Sequence, residues 1–309
     1  MKALIPDDPN VSPCSPELPI PINVALVKQL SPFRYPGGKT WLVPYVRHWI
    51  RALGFRPTML IEPFVGGGII SLTAAMENWA ERVTMVEIDP DVAAVWETIL
   101  SGGAESLAKR IEAFVLTEEN VALTLDADPL NSEDRAFQTI LRNRVNHGGI
   151  LAPGSSRLKY GENGKGIRSR WYPTTLASRI RTIAGLAAKI AFRAGDGFSA
   201  IEEYSSSPNA CFLIDPPYTA GGKNAGRRLY THWRVDHDLL FNTMANLRSP
   251  FLATYDESDE ILRLAKSHGF QPALVPMQNT HLVRKWELLI SRDLSWLEST
   301  TLHYKRVGA

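Results

Sequence analysis

The residues that first invite chemistry are Asp215-Pro216-Pro217-Tyr218, reached through the apolar run Phe212-Leu213-Ile214. That run reads as a buried strand, so the aspartate stands at a strand end, where a site can open. Two consecutive prolines fix φ and restrict the residue before each, holding the Asp215 carboxylate and the carbonyls that follow in set directions. Such a turn can present two acceptors, a carboxylate and a main-chain carbonyl, to one planar amino group. Tyr218 adds a flat ring on which a base can stack. Read as structure alone, the same four residues make a stiff turn with a surface tyrosine.

A second constellation is Glu62-Pro63-Phe64-Val65-Gly66-Gly67-Gly68. It lies between a short strand-like run, 58–62, and a helical one, 69–79. Glycines there let the backbone approach a ligand closely, and a helix N-terminus offers unpaired N–H groups. The G-x-G-x-x-G spacing of a pyrophosphate-binding turn is absent. Glu87 ends the next strand, 83–87, about 20 residues on, where a carboxylate commonly grips ribose hydroxyls. The pair points to a nucleoside-type cofactor without saying which; a glycine turn needed only for packing is the plain alternative.

Charge is distributed unevenly. The net value is +2 over 309 residues, which by itself selects no polyanion. Residues 87–134 carry twelve acidic side chains against Lys109 and Arg110. Residues 142–170 carry seven basic ones (Arg142, Arg144, Arg157, Lys159, Lys165, Arg168, Arg170) against Glu162. A basic run is often only a solvated face; beside Trp171 and Tyr172 it favours a polyanion partner. His232, His237 and His281 stand isolated, with no cysteine or carboxylate at ligand spacing, so no metal is expected. Cys14 and Cys211 are the only cysteines. No apolar run reaches the 18 or so residues that span a bilayer, and no signal pattern opens the chain, so a reducing cytoplasm is the expected location.

The elements that must position these residues follow from periodicity. Residues 1–30, with prolines at 6, 9, 13, 16, 19 and 21, read as an extended arm. A helix over 39–53, a strand over 58–62, a helix over 69–79, a strand over 83–87 and a helix over 90–100 make strand–helix alternation, the pattern of a parallel sheet with helical crossovers. The alternation breaks over 102–189. There, helical stretches at 105–116, 133–145 and 175–189 surround a Gly-, Pro- and Ser-rich segment, 147–174, read as a loop or hairpin. It resumes with strands at 190–193 and 211–214, a helix at 236–247, a strand at 251–255 and a helix at 258–268. Two antiparallel strands, 271–277 and 283–291, close it. A doubly wound sheet binds ligands at the carboxyl ends of its strands, where the order reverses.

On these residues the sequence resembles the Dam-type family of DNA adenine-N6 methyltransferases, in the order cofactor motif, target-recognition domain, catalytic motif. The resemblance is carried by Phe33-Arg34-Tyr35-Pro36-Gly37-Gly38-Lys39, Glu62 through Gly68, Glu87-Ile88-Asp89-Pro90, Gly195-Asp196-Gly197-Phe198 and Asp215-Pro216-Pro217-Tyr218. A weaker likeness continues through Arg284-Lys285-Trp286-Glu287-Leu288-Leu289 to about residue 292. It implies a Rossmann-like doubly wound, mostly parallel sheet with a C-terminal antiparallel hairpin, split into 31–101 and 190–309 by a mainly helical target-recognition domain at 102–189. The implied cofactor is S-adenosylmethionine. Tyr35, Gly38 and Lys39 would border its methionine end, with Lys39 also near the target base. Phe64, Gly66, Gly68 and Asp215 would line it, Glu87 would bond the ribose hydroxyls, Asp196 would bond the cofactor adenine, and Phe198 would pack nearby. Asp215 and the Pro216 carbonyl would accept the two N6–H bonds of a flipped adenine while Tyr218 stacks on it.

The implied partner is double-stranded DNA, in a bacterial or phage setting that allows a cognate restriction enzyme. Arg142, Arg144, Arg157, Lys159, Arg168 and Arg170 would contact phosphates or base edges. Lys223, Arg227 and Arg228 lie in the Gly-rich loop 219–234, expected to order over the flipped base. Trp171 and Trp233 could stack on bases or simply pack. Glu87 stands where many relatives carry Asp, three glycines replace the usual G-x-G, and 146–156 is richer in Gly and Pro than in relatives reading the common four-base site. The same scaffold serves cytosine N4 and RNA adenine methylation; Asp215 favours adenine, since cytosine enzymes more often carry Ser there. A catalytically inactive DNA-binding regulator is the alternative from another class, and the intact acceptors at 215–218 argue against it.

Overall fold

Short apolar runs become the strands of one sheet in the computed structural model of the chain, which describes residues 24–34, 37–218, 231–278 and 284–307. Strands β1 (Met59–Glu62), β2 (Arg82–Glu87), β3 (Ile190–Ala194), β4 (Ala210–Ile214) and β5 (Phe251–Asp256) are parallel. Strands β6 (Gln271–Gln278), β7 (Arg284–Ser291) and β8 (Lys305–Arg306) extend the sheet antiparallel. The spatial order is β3-β2-β1-β4-β5-β7-β6-β8. The chain therefore winds outward from β1 to β3, returns to lay β4 on the other side of β1, and winds outward again. The reversal falls between β1 and β4.

Both faces of the sheet are covered, and the period of two shows it. Along β4, Cys211 and Leu213 join one apolar cluster while Ala210, Phe212 and Ile214 join a second. Helices α1 (Val43–Ala52), α2 (Ile69–Glu77) and α3 (Pro90–Leu100) feed the first cluster. Helices α8 (Gly197–Tyr204), α9 (His237–Asn246) and α10 (Asp259–Ser267) feed the second. Side-chain caps mark where several begin: Asp89 accepts from Asp91 N, Asp196 from Ser199 N, Asp236 from Leu239 N and Ser258 from Ile261 N. The first helix enters through a 3-10 turn, Thr40–Leu42, rather than directly from Lys39.

Residues 102–189 hold α4 (Ala104–Ala113), α5 (Glu118–Asp126), α6 (Ser132–Val145) and α7 (Pro173–Ala184). Their apolar faces (Leu107, Ile111, Phe137, Ile140, Leu141, Ile180) share one cluster with Val95 and Ile99 of α3. Asp91 on α3 binds Arg135 at 3.1 Å and Arg142 at 3.0 Å, tying α6 to it. The segment expected as a loop or hairpin, 147–174, holds 3-10 turns at 147–149, 162–164 and 166–170 before α7 begins at Pro173, with one antiparallel bridge between Asn146 and Arg157 in place of a hairpin. Periodicity did not reveal α5, of which only Val121 is buried, nor α8, which begins inside the Gly195–Phe198 motif. No helix among the described residues is long and apolar enough to cross a membrane. Most of the proline-rich arm, 1–23, lies outside the described residues, as do Cys14 and His281.

Candidate active site

The turns after β1 and β4 leave the sheet side by side because their strands are neighbours, with Met59 in register with Ala210 and Ile61 with Phe212. Both line one cavity of about 1340 Å³. That exceeds the roughly 300–1,000 Å³ of a small-molecule pocket. Lys39, the glycine turn 62–68, Glu87, Asp196, Phe198 and 215–218 all border it, with Arg144, Arg157, Lys159 and Arg170.

In its wall Lys39 bridges two carboxylates. Its Nζ lies 3.1 Å from Asp215 Oδ1 and 3.0 Å from Glu287 Oε1, and also donates to Gly37 O at 3.2 Å. Lys39 is 7% exposed and Glu287 3%; an unpaired charge at that depth would be costly, so each holds the others in place. The Tyr218 hydroxyl lies 2.8 Å from Asp215 Oδ1 and 2.5 Å from Glu287 Oε1. Thr254 Oγ1 donates to the same Asp215 oxygen at 2.7 Å. Burial pushes the Glu287 carboxyl above its ordinary range, against the pull of Lys39. Burial likewise raises the Tyr218 phenol well above its usual value, so it remains a donor. The ring of Tyr218 leans on Tyr255 with centroids 5.7 Å apart, and the Lys39 ammonium lies 4.7 Å from its centre. The face assigned from sequence to a stacked base is thus engaged within the protein in this conformation.

At the other end Glu87, 7% exposed, accepts from Gly66 N and Asp89 N, each at 2.9 Å. It clamps the glycine turn to the start of α3. Burial pushes its carboxyl up to about 7, against the backbone donors. Glu62 is 4% exposed; it accepts from Ser71 N at 3.1 Å and bonds the Ser71 hydroxyl. Burial pushes it up to about 8, and the neighbouring Asp215 adds to the rise. Trp96 Nε1 donates to Gly66 O at 3.1 Å. Gly68 has φ +65°, and a Cβ there would sit 2.9 Å from Trp96 Cζ2. A Cβ on Gly197 would meet Pro63 O at 2.6 Å, so the turn after β3 closes against the turn after β1. Phe64 and Phe198 meet edge to face at 6.1 Å. The Asp196 carboxylate caps α8 through Ser199 N at 2.9 Å. Buried acids beside a glycine turn and an aromatic pair fit a cationic nucleoside: a carboxylate for ribose hydroxyls, rings for a base, and carboxyls whose ionised forms a sulfonium would favour.

The basic residues divide. Arg144, Arg157, Lys159 and Arg170 border the cavity; Arg142 is spent on Asp91, and Arg168 is exposed outside the wall. Trp171 packs on Phe114 at 5.8 Å, a core role, and Trp233 lies under the Arg234 guanidinium. Tyr35, Lys223, Arg227 and Arg228, with loop residues 219–230, lie outside the described residues. Sequence reasoning quoted Arg34, Glu62 and Glu287 within motifs but assigned none of them a role, and it missed Thr254 and Arg179. The signal for Glu287 was one acid within the apolar run Trp286–Ile290; for Thr254 there was none.

The sequence matches the family described as D12 class N6 adenine-specific DNA methyltransferase over residues 35–282. A comparison with curated protein sequences finds no match. Among solved structures, similarity extends to a proposed RNA methyltransferase from Pyrococcus horikoshii, 11% identical, covering 89% of this chain and 87% of that one at a TM-score of 0.38. An rRNA methyltransferase from Streptomyces viridochromogenes is 17% identical, with 85% and 88% covered and the same TM-score, 0.38.

Proposed function

We propose, from the premise that this chain belongs to the D12 class N6 adenine-specific DNA methyltransferase family, that it moves a methyl group from S-adenosylmethionine to N6 of an adenine turned out of double-stranded DNA. The observation that carries the reading is the shared cavity. The Asp-Pro-Pro-Tyr turn after β4 and the Glu62–Gly68 turn after β1 border it together across the point where strand order reverses.

S-adenosylmethionine, when bound, supplies the electrophilic methyl. The protein's part is acceptance and positioning. Among the described residues, the donors on Asp215 (Lys39, Tyr218 and Thr254) converge on Oδ1, leaving Oδ2 to accept one N6–H. The Pro216 carbonyl accepts the other. The adenine amino lone pair is delocalised into the ring; two acceptors on its protons favour pyramidal nitrogen and stabilise the positive charge that grows as the N–CH3 bond forms and the S–CH3 bond breaks. The proton that N6 then gives up would pass to the Asp215 carboxylate or to water. Lys39, Tyr218 and Thr254 keep Asp215 from turning away. Glu87 would take the ribose hydroxyls, and Glu62 and Glu287 supply negative charge beside a cationic ligand. The target amino group is inaccessible inside a duplex, so the base must be extruded, as methyltransferases do.

The test is direct. Incubation with tritiated S-adenosylmethionine and mixed-sequence duplex DNA, digestion and nucleoside analysis should give labelled N6-methyladenine. Asp215→Ala should lower transfer by about 10²–10³-fold while the fold, read by circular dichroism, persists, the loss expected of a group that acts on developing charge. Label in cytosine or RNA alone would overturn the substrate reading, and full activity of the variant would overturn the role of Asp215.

A further inference from the structure

We infer that Arg144, with Arg34, Arg170 and Arg179 around it, forms a pocket for one backbone phosphodiester of the DNA substrate, on the reading of the function given above. Arg144 sits in the last turn of α6 and is 5% exposed. Its Nη2 donates to Pro32 O, but its Nε is buried without a hydrogen-bond partner. A buried guanidinium N–H lacking an acceptor is rare and costly.

The surroundings say what kind of group. The charges acting on Arg144 are three more guanidinium groups, those of Arg179, Arg34 and Arg170; with burial, the larger cause, they push it down to about 9. Arg179 is itself lowered by burial and donates from Nη1 to Ser31 O at 3.0 Å. All four arginines border the cavity that also holds Asp215. Like charges are gathered, partly desolvated, against their own repulsion. An anion with several acceptor oxygens reverses that cost, and a phosphate matches the guanidinium fork.

The cavity is electrically divided, which separates this pocket from the cofactor site. S-adenosylmethionine carries an ammonium and a sulfonium against one carboxylate, so it is a net cation. Glu62, Glu87, Asp215 and Glu287 form the half that suits it. Four arginines would repel it, and they suit a polyanion whose base must reach Asp215. The pocket would hold the backbone of the strand from which the base is extruded.

The experiment measures binding of a labelled mixed-sequence duplex to the full chain over a salt series, with calorimetric S-adenosylmethionine affinity alongside. Arg144→Gln and, independently, Arg170→Gln should each weaken duplex binding about tenfold, uniformly across sequences, and reduce the slope of log affinity against log salt by about 1. Cofactor affinity should stay within about twofold, since the lost charge lies in the other half. Arg170 is only half-buried, so its variant carries the test if Arg144→Gln misfolds. An unchanged salt slope in both variants would overturn the pocket and leave Arg144 as a clamp on Pro32. Loss of cofactor affinity with duplex binding intact would also overturn it, assigning the arginines to the cofactor carboxylate. If the wild type bound only RNA, the DNA reading would fall, and the same slope comparison on RNA would still decide the pocket.

Discussion

At the scale of single residues the site is governed by where charge is buried. Glu62 and Glu87 are both deep in the wall, and burial raises their carboxyls to about 8 and about 7. In the unfolded chain both ionise near pH 4.5 or slightly below. Below that pH they are protonated in both states, and their full stability is present. As pH rises the unfolded chain loses these protons first, so it binds fewer than the native state and stability falls until the native carboxyls also ionise. The apo protein should therefore lose stability between about pH 4.5 and 8, by a few kcal/mol, and Glu62→Gln should flatten part of that decline. Denaturant midpoints measured across the range check this; a slope unchanged by Glu62→Gln would mean that Glu62 is ionised in the native state. Positive charge placed beside these carboxylates, as a sulfonium cofactor would place it, favours their ionised forms.

At the scale of elements, the glycine turn is held from outside itself. Gly68 is the left-handed residue that starts α2, and Trp96 of α3 packs against it while its indole N–H holds Gly66 O at 3.1 Å. Trp96 is fully buried, so it has no room to yield. Gly68→Ala adds a left-handed penalty of about 1–2 kcal/mol for a Cβ, plus about 1–3 kcal/mol for overpacking against the indole. The variant should lower the thermal midpoint and weaken cofactor binding together, read by calorimetry and Trp fluorescence. Wild-type stability in Gly68→Ala would show that the turn has slack that the packing around Trp96 denies it.

At the scale of the whole molecule, the helices of 102–189 are not an appendage. Phe137 of α6 is 1% exposed and lies edge to face with Phe114 at 5.2 Å, inside the cluster that continues through α3 to the sheet. Arg135 and Arg142 add ion pairs to Asp91 of α3. An apolar cluster shared across two segments couples their unfolding. Phe137→Ala should cost about 3–5 kcal/mol and shift far-UV and tryptophan-fluorescence transitions by the same amount. Two separated transitions, with only one displaced, would show that the inserted helices unfold alone.

Much of this was legible in the chain because the signals were local. Two prolines after an aspartate, three glycines after a strand, and period-two or helical spacing of apolar residues act within a few positions. They placed the parallel sheet, its antiparallel close and the two turns at the strand ends. What periodicity could not supply was pairing across distance. That β4 lies beside β1 follows from the winding of the whole sheet, and only that adjacency puts Asp215 and Glu62 in one cavity. Glu287 reads as an oddity in an apolar strand until β7 pairs with β5 and brings it to Lys39. Arg142 and Arg144 are two residues apart and look alike in sequence. On α6 the first turns to Asp91 and is neutralised, while the second turns inward among other arginines. Residue type and local spacing determined which chemistry was possible; the fold decided which charges meet, because burial and pairing depend on neighbours that the chain supplies from far away.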